Sequence, residues 1–121
     1  MKSLRVLVVE DNAMVSMLLA DMLEEMGHEV CGVEATESAA VTTALRCRPD
    51  LMILDARLGE GCGIAAMAAI ERTFLVPHLF ASGDIARVKA QRPNAVVIQK
   101  PYFEADLARA IDRALLTAVP A

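Results

Sequence analysis

Apolar runs and helix-period runs alternate five times along the 121 residues. Leu4–Val9 is a continuous apolar run broken only by Arg5. The next stretch, Asn12–Met26, repeats at helical spacing, with Val15, Leu18, Leu19, Met22 and Met26 on one face. Gly27 follows where a helix stop belongs. Val30–Val33 reads as a short second strand, and the flanking Glu29 and Glu34 suit a sheet edge. A second helix fits Ser38–Cys47, ended by Pro49. Leu51–Leu54 is a third strand, apolar on both faces. A loop with Gly59, Gly61 and Gly63 leads into a third helix over Ile64–Arg72. Pro77–Ala81 and Ala95–Ile98 supply the last two strands. Between them Ile85–Ala90 forms a short fourth helix, closed by Pro93. Tyr102–Ala118 is the final helix, with Leu107, Ile111 and Leu115 on one stripe.

Strands that are apolar on both faces need cover on both sides, which predicts a parallel sheet between two helix layers. Five strand–helix units in one chain predict a doubly wound open α/β sheet, and right-handed crossovers leave few topologies. Composition narrows this further. Hydrophobic residues reach 55% and aromatic ones only 3%, all four of them beyond residue 73. The core of the first half is therefore aliphatic, and stacking platforms for single-stranded nucleic acid are lacking. A net charge of −4 gives no electrostatic footprint for DNA or anionic lipid. No apolar run predicts a membrane span or a signal peptide. Three cysteines, Cys31, Cys47 and Cys62, without CxxC spacing fit a reducing cytoplasm rather than a disulfide framework or a zinc site. The length predicts one domain over residues 1–121 with no output domain attached.

In such sheets the chemistry sits beyond the carboxyl ends of the strands. The first strand is followed by Glu10 and Asp11, the third by Asp55, the fourth by Ser82 and the fifth by Lys100-Pro101. Two anions ~5 Å apart repel by roughly 3 kcal/mol at an effective dielectric near 20, so three carboxylates call for a cation. An oxygen-only ligand set favours Mg²⁺ over zinc. Lys100 adds a mobile positive charge and Ser82 a small donor. Together these make a site for a phosphoryl group, with Asp55 as the carboxylate able to act as nucleophile.

Taken in order, Glu10-Asp11, Asp55 after Leu51-Met52-Ile53-Leu54, Ser82 and Lys100-Pro101 resemble the signature of bacterial response-regulator receiver domains. Any one element is weak, but five in register across the chain are strong. The resemblance implies a flavodoxin-like three-layer fold, with a five-stranded parallel sheet of order 2-1-3-4-5 and five helices. It implies that Asp55 accepts phosphate from a histidine kinase or phosphotransfer protein. Asp11 and Asp55 would ligate Mg²⁺, Glu10 mostly through water, and the backbone carbonyl of Arg57 would be a third protein ligand. Lys100 and Ser82 would bind phosphoryl oxygens, and the Lys100–Pro101 bond would be cis. The resemblance also implies that Arg57 and Asp84 would modulate autodephosphorylation, and their opposite charges suggest that they approach each other. Output would pass to a downstream protein partner, with a homodimer left open, and the protein would have no metabolic substrate.

Three departures from the family matter. Val97 stands where receivers carry the switch aromatic. The interval from Ser82 to Lys100 is a few residues short, which predicts a short or mobile fourth helix. Gly59 replaces a common proline, so the loop after Asp55 is expected to be flexible. Phe80-Ala81-Ser82-Gly83 is similar to a stand-alone subgroup with a Phe-Ala-Thr-Gly segment and no switch aromatic. A pseudo-receiver acting as an unphosphorylated binding module is the serious rival. A dinucleotide turn at Gly59-x-Gly61-x-Gly63 is disfavoured by Asp55, and a haloacid-dehalogenase-type site would want Asp where Arg57 stands. A flavodoxin would need flanking aromatics around a flavin. Met14 and Met17 lie off the buried stripe of the first helix and read as surface methionines or an adaptable contact surface. His28 and His78 read as a loop and a strand residue.

Overall fold

A computed structural model describes residues 3–117. Its strands are β1 (Arg5–Val9), β2 (Glu29–Glu34), β3 (Leu51–Asp55), β4 (His78–Ser82) and β5 (Val97–Gln99). The intervening helices are α1 (Ala13–Glu25), α2 (Glu37–Cys47), α3 (Gly63–Glu71), α4 (Ile85–Gln91) and α5 (Glu104–Thr117). The sheet runs β2-β1-β3-β4-β5 with every neighbouring pair parallel, as expected. The end of the last predicted helix, Ala118, lies outside the described residues.

Side-chain alternation along the strands builds two cores. Val6, Val8, Leu51, Ile53, Leu79 and Ala81 point to the side covered by Leu19 and Leu23 of α1 and Leu107, Ala110 and Ile111 of α5. Leu7, Val9, Met52, Leu54 and Phe80 point to the other side, against Ala40 and Ala44 of α2, Met67 and Ile70 of α3 and Val88 of α4. Each fully buried aliphatic side chain stabilises the fold by roughly 1.5–3 kcal/mol, so this sandwich fixes the strand ends in space. Phe80 is fully buried, while Phe103 lies out in solvent.

Several boundaries and faces differ from the sequence expectation. In α1 the buried line is Ser16, Leu19 and Leu23, with Val15 and Met22 only partly covered. Leu18 is 60% exposed and joins Met14 (71%) and Met17 (63%) on the outer face. Ser16 can take the inner position because its hydroxyl donates back to the Ala13 carbonyl at 3.0 Å, so burial leaves no orphan donor. Strand β2 extends through both glutamates and carries a register shift opposite Val6/Leu7. Strand β5 is shorter than expected, and α5 starts two residues later, where Phe103 N–H donates to the Asp106 carboxylate. Helix α2 ends at Arg48, whose φ of 49° is left-handed without glycine, and the Arg48 guanidinium lies 4.4 Å from the Phe74 ring centre.

Helix α4 is short, with seven residues. Its ends are fastened. At the start the Asp84 carboxylate accepts the Arg87 N–H at 3.1 Å. At the end Arg92 forms an ion pair with Glu71 of α3, and its guanidinium also donates to His78 Nε2 at 3.1 Å. His78 Nδ1 is 2.8 Å from the Val76 carbonyl and donates to it, which leaves Nε2 as the acceptor for Arg92. Burial lowers the His78 pKa below its ordinary value, with Arg92 adding to the effect and Glu71 and the Val76 bond opposing it. A lowered histidine pKa means that the folded state takes up fewer protons than the unfolded chain. Stability from this group is therefore complete above the ordinary histidine value near 6.5 and is lost as pH falls through the lower folded value. Urea midpoints measured at pH 7.5 and pH 5.5 should fall more for the wild type than for His78→Gln, and an equal fall would refute this account.

Candidate functional site

The carboxyl ends of β1, β3 and β5 deliver the predicted cluster. Glu10 and Asp11 follow β1, Asp55 closes β3, and Lys100 follows β5. Glu10, Asp11 and Asp55 each present a carboxylate oxygen, and these oxygens lie within 4.8 Å of one another. Lys100 Nζ donates to Asp55 Oδ2 at 2.7 Å and to Glu10 Oε1 at 2.9 Å. Glu10 is buried, Asp55 partly so, and Asp11 faces solvent. Glu10 also accepts the Asn12 N–H at 3.1 Å, and Asn12 itself caps α1 through the Val15 N–H. The acidic pair is thus free of the capping role, which falls to its neighbour.

Burial raises the Glu10 pKa above the ordinary carboxylate value, and the Asp55 charge adds to it against the pull of Lys100. Burial works to lower the Lys100 pKa, but its bonds to Asp55 and Glu10 outweigh burial and hold the ammonium above its usual range. Burial likewise raises the Tyr102 phenol, which senses the charges of Lys100, Glu10 and Asp55. The donor set is all oxygen, with no Cys or His among the three, and suits a hard divalent cation.

The Lys100–Pro101 bond is cis. Ser82 is buried at the end of β4, and its hydroxyl accepts the Asp84 N–H at 2.9 Å while lying 3.1 Å from the Asp84 carbonyl. This local turn ties Ser82 to the start of α4. Gln99 Nε2 donates to the Gly83 carbonyl at 2.9 Å and ties the end of β5 to the same turn. Val97 is buried beside Phe80, its partner on β4. Arg57 and Asp84 line one cavity of about 400 Å³ together with Cys62, Ser82 and Arg87. They share this wall without forming an ion pair, and one Asp84 oxygen caps α4 by accepting the Arg87 N–H.

The loop after Asp55 makes specific contacts with the acidic residues. Gly59 N–H donates to Asp11 Oδ2 at 2.8 Å, and a Cβ on Gly59 would stand 3.1 Å from that oxygen. A Cβ on Gly63 would stand 2.2 Å from the Asp55 carbonyl. These glycines permit close approach to the acidic residues. The contacts of Gly59 and Gln99 carry no signal in the sequence, because each joins residues that only the fold brings together.

A profile of the response regulator receiver domain family matches residues 6–112. The phyllosphere-induced regulator PhyR of Methylorubrum extorquens is 34% identical over 114 residues, covering 91% of this chain and 43% of that protein. The transcriptional regulatory protein PdtaR of Mycobacterium tuberculosis is 32% identical over 115 residues, covering 92% and 56%. The chain thus spans about half the length of these curated relatives. The solution structure of the PhyR response regulator REC domain of Erythrobacter litoralis superposes with a TM-score of 0.87 at 30% identity, over 98% of this chain and 95% of that one.

Asp11 carries negative charge next to Glu10 and Asp55 but receives no bond from Lys100. Asp11→Asn removes that repulsion and keeps an oxygen for the Gly59 N–H. In metal-free solution the variant should be more stable by about 1 kcal/mol, the value left after solvent screening of this exposed group. Urea denaturation in the presence of a chelator measures it, and an unchanged or lower midpoint would contradict the repulsion.

Proposed function

The chain belongs to the response regulator receiver domain family, and on that premise we propose that it is a phosphorylation switch whose acceptor is Asp55. One observation carries the reading. Asp55 shares the acidic cluster and holds the Lys100 ammonium at 2.7 Å; Glu10 also does so, at 2.9 Å, but is buried, whereas Asp55 is only partly buried and open to a phosphoryl donor. A nucleophile for phosphorus needs a nearby cation to steady the developing charge on the equatorial oxygens. Lys100 is in place to do so.

In the proposed step an Asp55 oxygen attacks the phosphorus of a phosphohistidine on a sensor kinase or phosphotransfer protein. The P–N bond breaks, its electron pair returns to the donor imidazole, and an acyl phosphate forms on Asp55. A Mg²⁺ ion bound by Asp11 and Asp55, by Glu10 mainly through water and by the Arg57 carbonyl would supply charge neutralisation at the phosphoryl oxygens. Lys100 then exchanges its bond to the Asp55 carboxylate for one to a phosphoryl oxygen. The Ser82 hydroxyl leaves its turn with Asp84 for another phosphoryl oxygen. The modified residue carries about −1.5 to −2 charges, and the two donors bias a two-state equilibrium toward the conformation that binds them. Arg57 and Asp84, on the wall of the adjoining cavity, modulate access of hydrolytic water.

Output in this reading runs through the Ser82–Asp84 turn and α4 toward a protein partner, since Val97 offers no ring to rotate. The three free thiols, Cys31, Cys47 and Cys62, support a reducing cytoplasmic setting. Among the described residues no helix is long and apolar enough to cross a membrane.

Incubation with acetyl phosphate and Mg²⁺ should add one base-labile phosphoryl group to the wild type, read by intact mass. Asp55→Asn should add none. An unmodified wild type, or an equal adduct on Asp55→Asn, would overturn the proposal in favour of a binding module.

A further inference from the structure

Glu37 opens α2, and the cap of that helix does not need it. Thr36 accepts the Ala39 N–H at 3.2 Å and provides the cap. The Glu37 side chain turns instead to the loop after Asp55. Its Oε1 accepts the Cys62 N–H at 3.1 Å, and its own N–H donates to the Glu60 carbonyl at 3.3 Å. Gly61 lies between these two contacts with a φ of +87°. A Cβ on Gly61 would stand 2.5 Å from Glu37 Oε1 and 2.6 Å from Glu37 Cβ. The loop therefore packs on Glu37 at a distance and a backbone angle that only glycine tolerates.

What the clamp holds is the segment that carries the site. Cys62 faces Arg57 in an isolated antiparallel bridge, and Gly63 N–H donates to the Ala56 carbonyl at 3.2 Å. Arg57 N–H in turn donates to Asp55 Oδ1 at 3.1 Å, and Gly59 N–H to Asp11 Oδ2. A continuous chain of contacts thus runs from Glu37 through Cys62 and Arg57 to Asp55. A buried or half-buried acceptor that fixes a neighbouring backbone can set the geometry of ligands it never touches.

We infer that Glu37 is a positioning residue for the acidic site: it clamps the loop from α2 so that the Arg57 carbonyl and the Asp11 carboxylate are arranged around a divalent cation. This rests on the reading of Asp55, Asp11 and Glu10 as a cation site. A purely structural Glu37 would change the denaturation midpoint but not the cation affinity of folded molecules.

The test is a Mg²⁺ titration of ¹⁵N-labelled protein, following the amides of Arg57, Gly59 and Cys62 by NMR. Hydrogen exchange of the Cys62 amide is measured before Mg²⁺ is added. Glu37→Ala should speed that exchange by about tenfold and weaken Mg²⁺ binding by about three- to tenfold. Glu37→Gln keeps a side-chain carbonyl for the Cys62 N–H and should stay within about twofold of wild type. If Glu37→Ala does not fold, Glu37→Asp, too short to reach Cys62, takes its place with the same expectation. Wild-type affinity in Glu37→Ala overturns the inference and leaves the reading of the site intact. Equal losses in the Gln and Ala variants also overturn it, since charge rather than the clamp would then be at work. A wild type that binds no Mg²⁺ at these amides overturns the reading of the site, and this inference with it.

Discussion

Three carboxylates brought within 4.8 Å, with one ammonium between two of them, set the terms for the whole carboxyl edge of the sheet. Lys100 answers Glu10 and Asp55 and gives nothing to Asp11. Asp11 finds its donor in the Gly59 N–H instead, which draws the loop after β3 across the sheet end. The loop can come that close only because Gly59 and Gly63 have no side chains to intervene. The site keeps more negative than positive charge even so, and such an excess is tolerated where a divalent cation completes it. The aliphatic sandwich behind it supplies the rigidity that holds like charges together.

Much of this was legible in the sequence, for a physical reason. Strands covered on both faces show as unbroken apolar runs, so β1 and β3 announced themselves and the residues after them marked the functional edge. The resemblance to receivers then suggested the roles proposed for Asp55, Lys100 and Ser82. Hydropathy misjudged α1, where it ranks Leu18 above Ser16. It takes no account of a hydroxyl satisfied by the Ala13 carbonyl, nor of the room that a small residue gives a helix against a sheet. Opposite charge at Arg57 and Asp84 suggested that they approach each other, and the fold sets both on one cavity wall without an ion pair between them. The glycines after Asp55 mark close approach of the loop to the site, which composition alone does not reveal. The roles of Glu37 and Gln99 stayed hidden because their partners lie many residues away and are backbone groups, which leave no side-chain signature.

The outer face of α1 illustrates the other side of the same balance. Met14, Met17 and Leu18 stay exposed although the chain is rich in apolar residues. The inner line of that helix is filled by Ser16, Leu19 and Leu23, and the other three lie on the opposite face.

Helix α4 joins the two ends of the sheet unequally. Near the site it is tied to Ser82 through a short turn, which Gln99 also holds by its bond to the Gly83 carbonyl, and through the Asp84 cap. At the far end Arg92 is held by Glu71 and His78, on two separate elements, over the face of Phe80. A rod with one firm bearing and one light coupling turns about the bearing when the coupling moves. In the proposed switch, a small shift of the Ser82 hydroxyl would change the helix direction, most at Ile85 and least at Arg92.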